Sequence, residues 1–194
     1  MGKMKFISRK NIADFSLPLP IYESIYIADG IGKDSEEFSV FVGLNEKMAA
    51  QLKTFSLDKN DAELQKYSTD FRRFGIGSYE DWYKKNRTPL TLVHNNTGKL
   101  AALVFMGPEP LHEGCKCHTI GWRSYPPFRG KGLMKDFGSF AIDIYLKKFP
   151  ETKLWAQIRK ENSGSLALAQ SLGFELSDTP PPGGQDFVTM TTFT

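Results

Sequence analysis

The stretch of residues 124–134, S-Y-P-P-F-R-G-K-G-L-M, joins a predicted strand to a predicted helix. Residues 118–124 alternate as a strand does, whereas residues 133–148 carry an apolar stripe at helical spacing. Gly130 and Gly132 stand at the junction, where the lack of side chains lets a ligand approach the backbone closely. The first amides of a helix have no partners within it and carry the positive end of its dipole. The stretch therefore predicts a pyrophosphate cradle.

Two other phosphate-binding loops do not fit these residues. A Walker loop needs four residues between its first glycine and a Gly-Lys-Ser/Thr triplet, and the sequence contains no such run. A dinucleotide loop, G-x-G-x-x-G, would need glycine at the position where Lys135 stands. Together with Arg129 and Lys131, that lysine adds positive charge to the predicted cradle.

The motif that does fit is a coenzyme A loop. Arg129, Gly132 and Met134 stand at the defining places of Arg-x-x-Gly-x-Gly/Ala. In this the stretch resembles the GNAT acetyltransferases, although Met134 stands where that family usually has a small residue. Downstream, Asn162 and the sequence Leu-Gly-Phe at residues 172–174 resemble the second signature of the family.

The resemblance implies a single α/β domain over residues 1–194. Its sheet is expected to be mixed and mostly antiparallel, flanked by helices, with one parallel strand pair at the coenzyme A cleft. Residues 89–174 are expected to form the cofactor-binding core. Residues 1–35 are expected to be an N-terminal extension or an extra strand.

Patterns elsewhere in the chain predict further elements. Residues 21–28 and 38–42 resemble strands that pair as a hairpin, and residues 90–106 resemble a second hairpin. Three helices are predicted between these hairpins, beginning at Asn45, Asn60 and Ser78.

The resemblance also implies which residues bind acetyl-CoA, the expected co-substrate. Trp122, Arg123 and Ser124 would supply backbone groups to its acyl and pantetheine portions. Asn162 would contact the pantetheine arm, although a plain helix cap explains an asparagine there equally well. The pyrophosphate would be bound by the loop residues Arg129, Gly130, Lys131, Gly132, Leu133 and Met134.

Catalytic residues are harder to assign. Some members of the family carry an acid or a base at the positions where Ala169 and Gln157 stand in this sequence. Neither of these side chains can take over that role. His118 is predicted to be the general base, because it shares a strand face with Trp122 and imidazole titrates near neutral pH. The alternative is a histidine that only forms hydrogen bonds within the sheet. Tyr125 is considered as a possible acid.

Residues 69–74, T-D-F-R-R-F, stand out in the first half of the chain. Asp70 could bind an amine, and Arg72 or Arg73 could bind an acidic group of the acceptor. The preferred interpretation is simpler: a solvated helix face above two phenylalanines of the core.

Composition limits the classes of function. The 194 residues carry a net charge of +3 with dispersed basic residues, which does not favour nucleic-acid binding. Because no apolar run is long enough to span a bilayer and the N-terminus resembles no secretory signal, we expect a cytoplasmic protein without a membrane partner. A monomer or a homodimer is expected. Cys115 and Cys117 are too close along one strand to favour a structural disulfide, which agrees with a reducing compartment.

The stretch that contains His112, Cys115, Cys117 and His118 combines residue types that bind zinc. Its spacing differs from that of a zinc knuckle and the sequence holds no second cluster, so no metal is expected.

The predicted function is transfer of an acetyl group from acetyl-CoA to a primary amine by direct attack. The acceptor, a small molecule or a protein amine, is left open. One alternative is a non-catalytic acyl-CoA-binding or sensor module, which the missing acid and base positions would suit. Another is a metal-dependent binding protein that uses the cysteine- and histidine-containing stretch.

Overall fold

The structure, a computed structural model, describes residues 3–33 and 35–193. Within them the strands are β1 (Lys5–Ser8), β2 (Ser24–Ile31), β3 (Glu37–Gly43), β4 (Thr88–His94), β5 (Lys99–Pro108), β6 (Cys117–Ser124), β7 (Lys153–Arg159), β8 (Glu175–Ser177) and β9 (Phe187–Thr191). The α-helices are α1 (Glu46–Leu57), α2 (Ala62–Tyr67), α3 (Tyr79–Tyr83), α4 (Leu133–Lys148) and α5 (Ser163–Ser171). A 3-10 turn covers Ile12–Asp14, and a π-helical turn covers Phe71–Gly75.

The strands of the described residues form one sheet in the order β1-β2-β3-β4-β5-β6-β7-β9-β8. Neighbours in the sheet are antiparallel except β6 and β7, which run parallel and are connected through α4. This mixed, mostly antiparallel sheet with one parallel pair confirms the predicted fold class.

The N-terminal part of the chain contributes two strands. β2 pairs with β3 as the predicted hairpin, with Gly30 opposite Phe38. β1 pairs with β2 on its other side and lies in residues 1–35, which were expected to be an extension or an extra strand. Three of the four residues of β1 are exposed, so the strand lacks the alternation that identifies a half-buried strand in a sequence.

Helices cover both faces of the sheet. On one face, α4 and α5 enclose a core that includes Val104 and Ile120. On the other face, α1 lies over a second core that includes Leu103 and Phe105. Successive residues of β5 thus enter two different cores, which explains why this strand is apolar on both faces, as its sequence predicted.

Three helices between β3 and β4 begin close to the predicted positions. The side chains of Asn45 and Ser78 accept hydrogen bonds from the third residue of α1 and of α3. The prediction that Asn60 caps α2 is wrong, because Asp61 Oδ1 accepts the Leu64 amide at 3.0 Å. Asn60 instead donates its own amide to Asp58 in the preceding turn.

Cys115 and Cys117 are joined by a disulfide, so the expectation of two separate thiols is wrong. Cys115 lies in the loop before β6 and not in the strand itself, and the two Cα atoms are 5.3 Å apart. That separation is within the normal range for a disulfide, because the chain is not fully extended at this point.

Candidate active site

β6 and β7 separate partway along their length. Their pairing ends at Thr119 and Trp155, yet β6 continues to Ser124 and β7 to Arg159. The two strands therefore diverge, and the edge of β6 that faces β7 is left without a strand partner beyond Thr119. A cavity of about 590 Å³ fills this opening and extends to the start of α4.

The loop before α4 closes one end of the opening. Gly130 and Gly132 adopt φ values of +79° and +75°, a region that favours glycine. Gly132 is the N-terminal cap residue of α4, and no side chain caps the helix. The first amides of α4 are thus free to bind an anion that enters the cavity.

Lysines surround this loop. Lys135 lines the cavity, whereas Lys131 is exposed and its Nζ lies 3.0 Å from Glu36 Oε1. Lys33, in the turn between β2 and β3, brings its Nζ within 3.2 Å of the place where a Cβ on Gly132 would lie. Lys33 could not be predicted from the sequence, because it is far from the loop along the chain. Uncapped amides with nearby cations fit a pyrophosphate group.

Arg129 is held within the protein. Its guanidinium forms two hydrogen bonds with Asp61, and it donates two more to the Ser124 carbonyl at 2.9 and 3.0 Å. This arrangement fixes the loop to α2. The sequence resemblance placed Arg129 at the cofactor, but the residue that pairs with it, Asp61, was missed.

Arg123 pairs with Asp70 on the face that carries α1. Arg123 Nε lies 2.6 Å from Asp70 Oδ2, and Nη2 lies 2.9 Å from Oδ1. Asp70 is fully buried, so the preferred interpretation of residues 69–74 as a solvated helix face is wrong for this residue. A fully buried carboxylate needs such a partner, because desolvation would otherwise destabilise its charge.

The start of α5 is linked to β6 by two hydrogen bonds. Trp122 Nε1 donates to Ser165 Oγ at 2.9 Å, and the Ser165 amide donates to Asn162 Oδ1 at 3.0 Å. Asn162 therefore caps α5, and it also lines the cavity. Both interpretations of Asn162 are compatible with this position, because the cap uses only its oxygen.

Two other positions of the sequence prediction lie in the cavity wall. Met134 is half-buried against the α4 core and also lines the cavity. Gln157, which stands where some relatives have a base, accepts the Gly183 amide at 2.7 Å. The loop at Gly183 thereby holds this glutamine in place on β7.

His118 lies at the closed end of the strand pair. It stands opposite Leu154 in the paired segment, and it is not among the residues that line the cavity. Its Nδ1 lies 2.7 Å from the Tyr145 hydroxyl, and its ring packs edge-on against Phe149. Burial, with a smaller effect of the Arg87 charge, lowers the pKa of His118. The role of His118 as general base stays a prediction, and its position outside the cavity does not favour that role.

Tyr125 is fully buried beneath α1, with its ring stacked on Phe55 at 4.5 Å between centroids. Its hydroxyl has no hydrogen-bond partner among the described residues, and it does not line the cavity. Burial raises the pKa of Tyr125 well above its ordinary value. Its role as an acid likewise stays a prediction.

Most of the predicted cofactor residues come together around the opening. Those that line the cavity are Trp122, Arg123, Ser124, Arg129, Gly130, Gly132, Leu133, Met134 and Asn162. Lys131 stands on the outer side of the loop and does not line it.

Nowhere in residues 3–33 and 35–193 do three or more His, Cys, Asp or Glu side chains form a group that could hold a metal ion. No helix in this part of the chain is long and apolar enough to cross a membrane.

The sequence matches the family model described as an acetyltransferase (GNAT) domain over residues 33–175. A comparison with curated proteins gives no match. The matched region begins just before β3, so β1 and β2 lie outside it.

Solved structures share this fold. An acetyltransferase from Agrobacterium tumefaciens strain C58 is 14% identical with a TM-score of 0.62, covering 96% of this chain and 99% of that one. RimJ of Mycobacterium smegmatis, solved with CoA-disulfide, is 15% identical with a TM-score of 0.59, covering 79% and 81%. Spermidine N-acetyltransferase from Vibrio cholerae, solved with CoA and spermine, is 14% identical with a TM-score of 0.57, covering 78% and 92%. At these identities the likeness concerns the fold alone.

Proposed function

Because the chain belongs to the GNAT acetyltransferase family, we propose that it transfers an acetyl group from acetyl-CoA to a primary amine by direct attack. The observation that carries the proposal is the divergence of β6 and β7 beyond Thr119 and Trp155, which opens the sheet next to an uncapped helix. A cavity of about 590 Å³ that passes between two strands can bring two substrates together.

The loop before α4 would hold the phosphate end of the co-substrate. The amides that follow Gly132 would donate to the pyrophosphate, and Lys33 and Lys135 would add positive charge. Acetyl-CoA itself supplies an activated acetyl thioester when bound. The unpaired edge of β6 would donate amides to its extended pantetheine arm, in the way that an added strand pairs with a sheet edge.

Direct attack forms a bond between the amine nitrogen and the acetyl carbon and breaks the carbon–sulfur bond. Amides of β6 beyond Thr119 are proposed to stabilise the negative charge that develops on the carbonyl oxygen. The departing sulfur leaves as a thiolate, whose ordinary pKa of about 8.5 makes it a tolerable leaving group without full protonation.

The amine must also lose a proton. Among the described residues that line the cavity, Glu63 is the one carboxylate, and its side chain is 61% exposed. We therefore propose that the proton passes to solvent at the mouth of the cavity and not to a buried base.

The test is calorimetric titration with CoA, followed by release of free CoA thiol from acetyl-CoA in the presence of a panel of primary amines. Binding together with amine-dependent thiol release and mass-spectrometric detection of an N-acetyl product would support the proposal. Binding without transfer to any amine would favour a non-catalytic acyl-CoA-binding module instead. No binding of CoA would refute the proposal outright.

A further inference from the structure

Two guanidinium groups share one buried carboxylate beside the opening. Arg123 occupies both oxygens of Asp70, whereas the nearest approach of Arg73 to Asp70 is 3.9 Å, from Nη1 to Oδ1. The Arg73 guanidinium donates no hydrogen bond to any other described side chain or carbonyl. The group Arg73, Arg123 and Asp70 therefore carries one uncompensated positive charge.

The neighbouring ion pair does not supply the missing anion. Arg87 is paired with Glu109, and Arg87 also donates to the Pro108 carbonyl at 2.9 Å. The opposite charges of Arg87 and Glu109 therefore cancel. The excess charge thus belongs to Arg73, whose side chain is 33% exposed and so remains open to a ligand.

Arg73 does not line the cavity itself, but Phe105 connects it to the part of β6 where the sheet opens. The guanidinium carbons of Arg73 and Arg123 each lie 5.9 Å from the centre of the Phe105 ring. Phe105 stands opposite Gly121 in the sheet, and a Cβ on Gly121 would meet the Phe105 ring at 2.3 Å. Gly121 lines the cavity two residues beyond Thr119, the last residue of β6 that pairs with β7.

The environment of Arg73 is unfavourable for an isolated cation. Burial, and then the charges of Arg123 and Arg87, lower the pKa of Arg73, and the charges of Asp70 and Glu109 only partly oppose them. An anion at this position would satisfy the guanidinium, and a carboxylate matches its planar, two-pronged geometry.

We propose that the acceptor is an amine that also carries a carboxylate, and that this carboxylate pairs with Arg73. The inference rests on the proposed acetyl transfer and specifies its substrate class. The amine would reach the opening from the face of β6 that holds Gly121 and Arg123, opposite the face that packs on α4. The neighbouring Arg72 is exposed, so Arg72→Gln serves as a matched control for Arg73→Gln.

The test uses two sets of acceptors in which the group distant from the acceptor amine is acidic, neutral or cationic; the acidic and neutral members differ only by a carboxylate and its amide. The first is γ-aminobutyrate, γ-aminobutyramide and putrescine. The second is the amidated dipeptides glycyl-glutamate, glycyl-glutamine and glycyl-lysine, which distinguish a peptide source of the carboxylate from a free amino acid. The wild-type protein, Arg73→Gln and Arg72→Gln are compared by kcat/KM, and thermal unfolding confirms that each variant is folded.

We expect the acidic member of at least one set to be acetylated roughly ten to a hundred times more efficiently than its neutral partner. Arg73→Gln should remove that preference, and Arg72→Gln should retain it. Equal or better use of the neutral or cationic member by the wild-type protein would overturn the inference, as would a preference that survives Arg73→Gln.

A binding measurement covers the case of undetectable turnover. Each acceptor is titrated into the CoA-saturated protein, and the acidic member must bind more tightly than its neutral partner. Equal binding, or none, overturns the inference about Arg73 while CoA binding leaves the proposed function standing. Failure to bind CoA would instead refute the proposed function, and the inference with it.

Discussion

Arg129 and Asp61 form a two-pronged ion pair that joins the loop before α4 to the first turn of α2. Nη1 lies 2.6 Å from Oδ1, and Nη2 lies 2.7 Å from Oδ2. The same Asp61 carboxylate accepts the Leu64 amide and so caps α2. A single side chain thereby organises α2 and holds the guanidinium that binds the Ser124 carbonyl.

The pair predicts a positioning role for Arg129 in binding CoA. Asp61→Asn and Arg129→Gln should each lower CoA affinity about tenfold, because either change releases the loop from α2. The double variant should be no weaker than the worse single variant, since both changes remove the same interaction. Glu63→Gln is the comparison: it removes only an exposed carboxylate 3.8 Å from Arg129, so it should lower CoA affinity less than either variant of the pair. Additive losses measured by calorimetry would contradict this role.

The same pair predicts a dependence of stability on pH. Burial by itself raises the pKa of Asp61, but the hydrogen bonds from Arg129 and the Leu64 amide outweigh it and lower the pKa below its ordinary value. A group whose pKa is lowered by folding stabilises the protein above its unfolded value and loses that contribution as pH falls through the folded value. Denaturant unfolding from pH 5 downward, a range set by the ordinary pKa of about 3.9, should show this loss in the wild-type protein and a smaller one in Asp61→Asn.

Gly132→Ala tests the loop directly. Gly132 and Gly98 both have positive φ, +75° and +63°, and a Cβ on either would approach a lysine Nζ, at 3.2 and 3.6 Å. Alanine should therefore cost each site a similar amount of stability, roughly 1–2 kcal/mol. Only Gly132→Ala should also weaken CoA binding, because Gly98 lies in the turn between β4 and β5. Equal CoA affinity in the two variants would remove the loop from the binding site.

The elements that the sequence predicted correctly are those whose signals are local. α4 occupies the predicted residues 133–148, because an apolar stripe follows a glycine and a lysine-rich end closes the helix. The strand before it, β6, lies within the same short segment, whereas the divergence of β6 from β7 was not predicted. A motif of this kind determines the backbone conformation of its own residues. Most of the predicted cofactor residues therefore line the cavity.

The parts that the sequence did not predict depend on distant contacts. Asp61 meets Arg129 across 68 positions, and Asp70 meets Arg123 across 53. The spacing of apolar and polar residues along the chain does not indicate such long-range ion pairs. An aspartate near two arginines looks the same in sequence whether it is buried or exposed, so the solvated-face interpretation is wrong for Asp70, although Arg72 is exposed and Phe74 is buried as predicted.

Tyr125→Phe tests whether Tyr125 acts as an acid or only packs in the core. The Tyr125 hydroxyl is buried and has no hydrogen-bond partner in the described part of the chain, so its removal should leave stability unchanged or raise it by about 1 kcal/mol. The stacked contact with Phe55 would remain. We expect kcat to be unchanged as well, because this hydroxyl does not line the cavity. A large fall in kcat with stability retained would restore Tyr125 as the acid.

His118→Gln decides between a base and a structural histidine. The imidazole packs on Tyr145 and Phe149 where β6 and β7 are still paired, so we expect the variant to keep its kcat and pH–rate profile. Folding lowers the pKa of His118 below 6.5, mainly through burial. The unfolded chain therefore binds the proton more readily, and the wild-type protein should lose stability as pH falls through and below 6.5. The variant should lose less over the same range in denaturant unfolding. A fall in kcat of roughly 100-fold or more, with the acidic limb of the profile abolished, would show that His118 is the base after all.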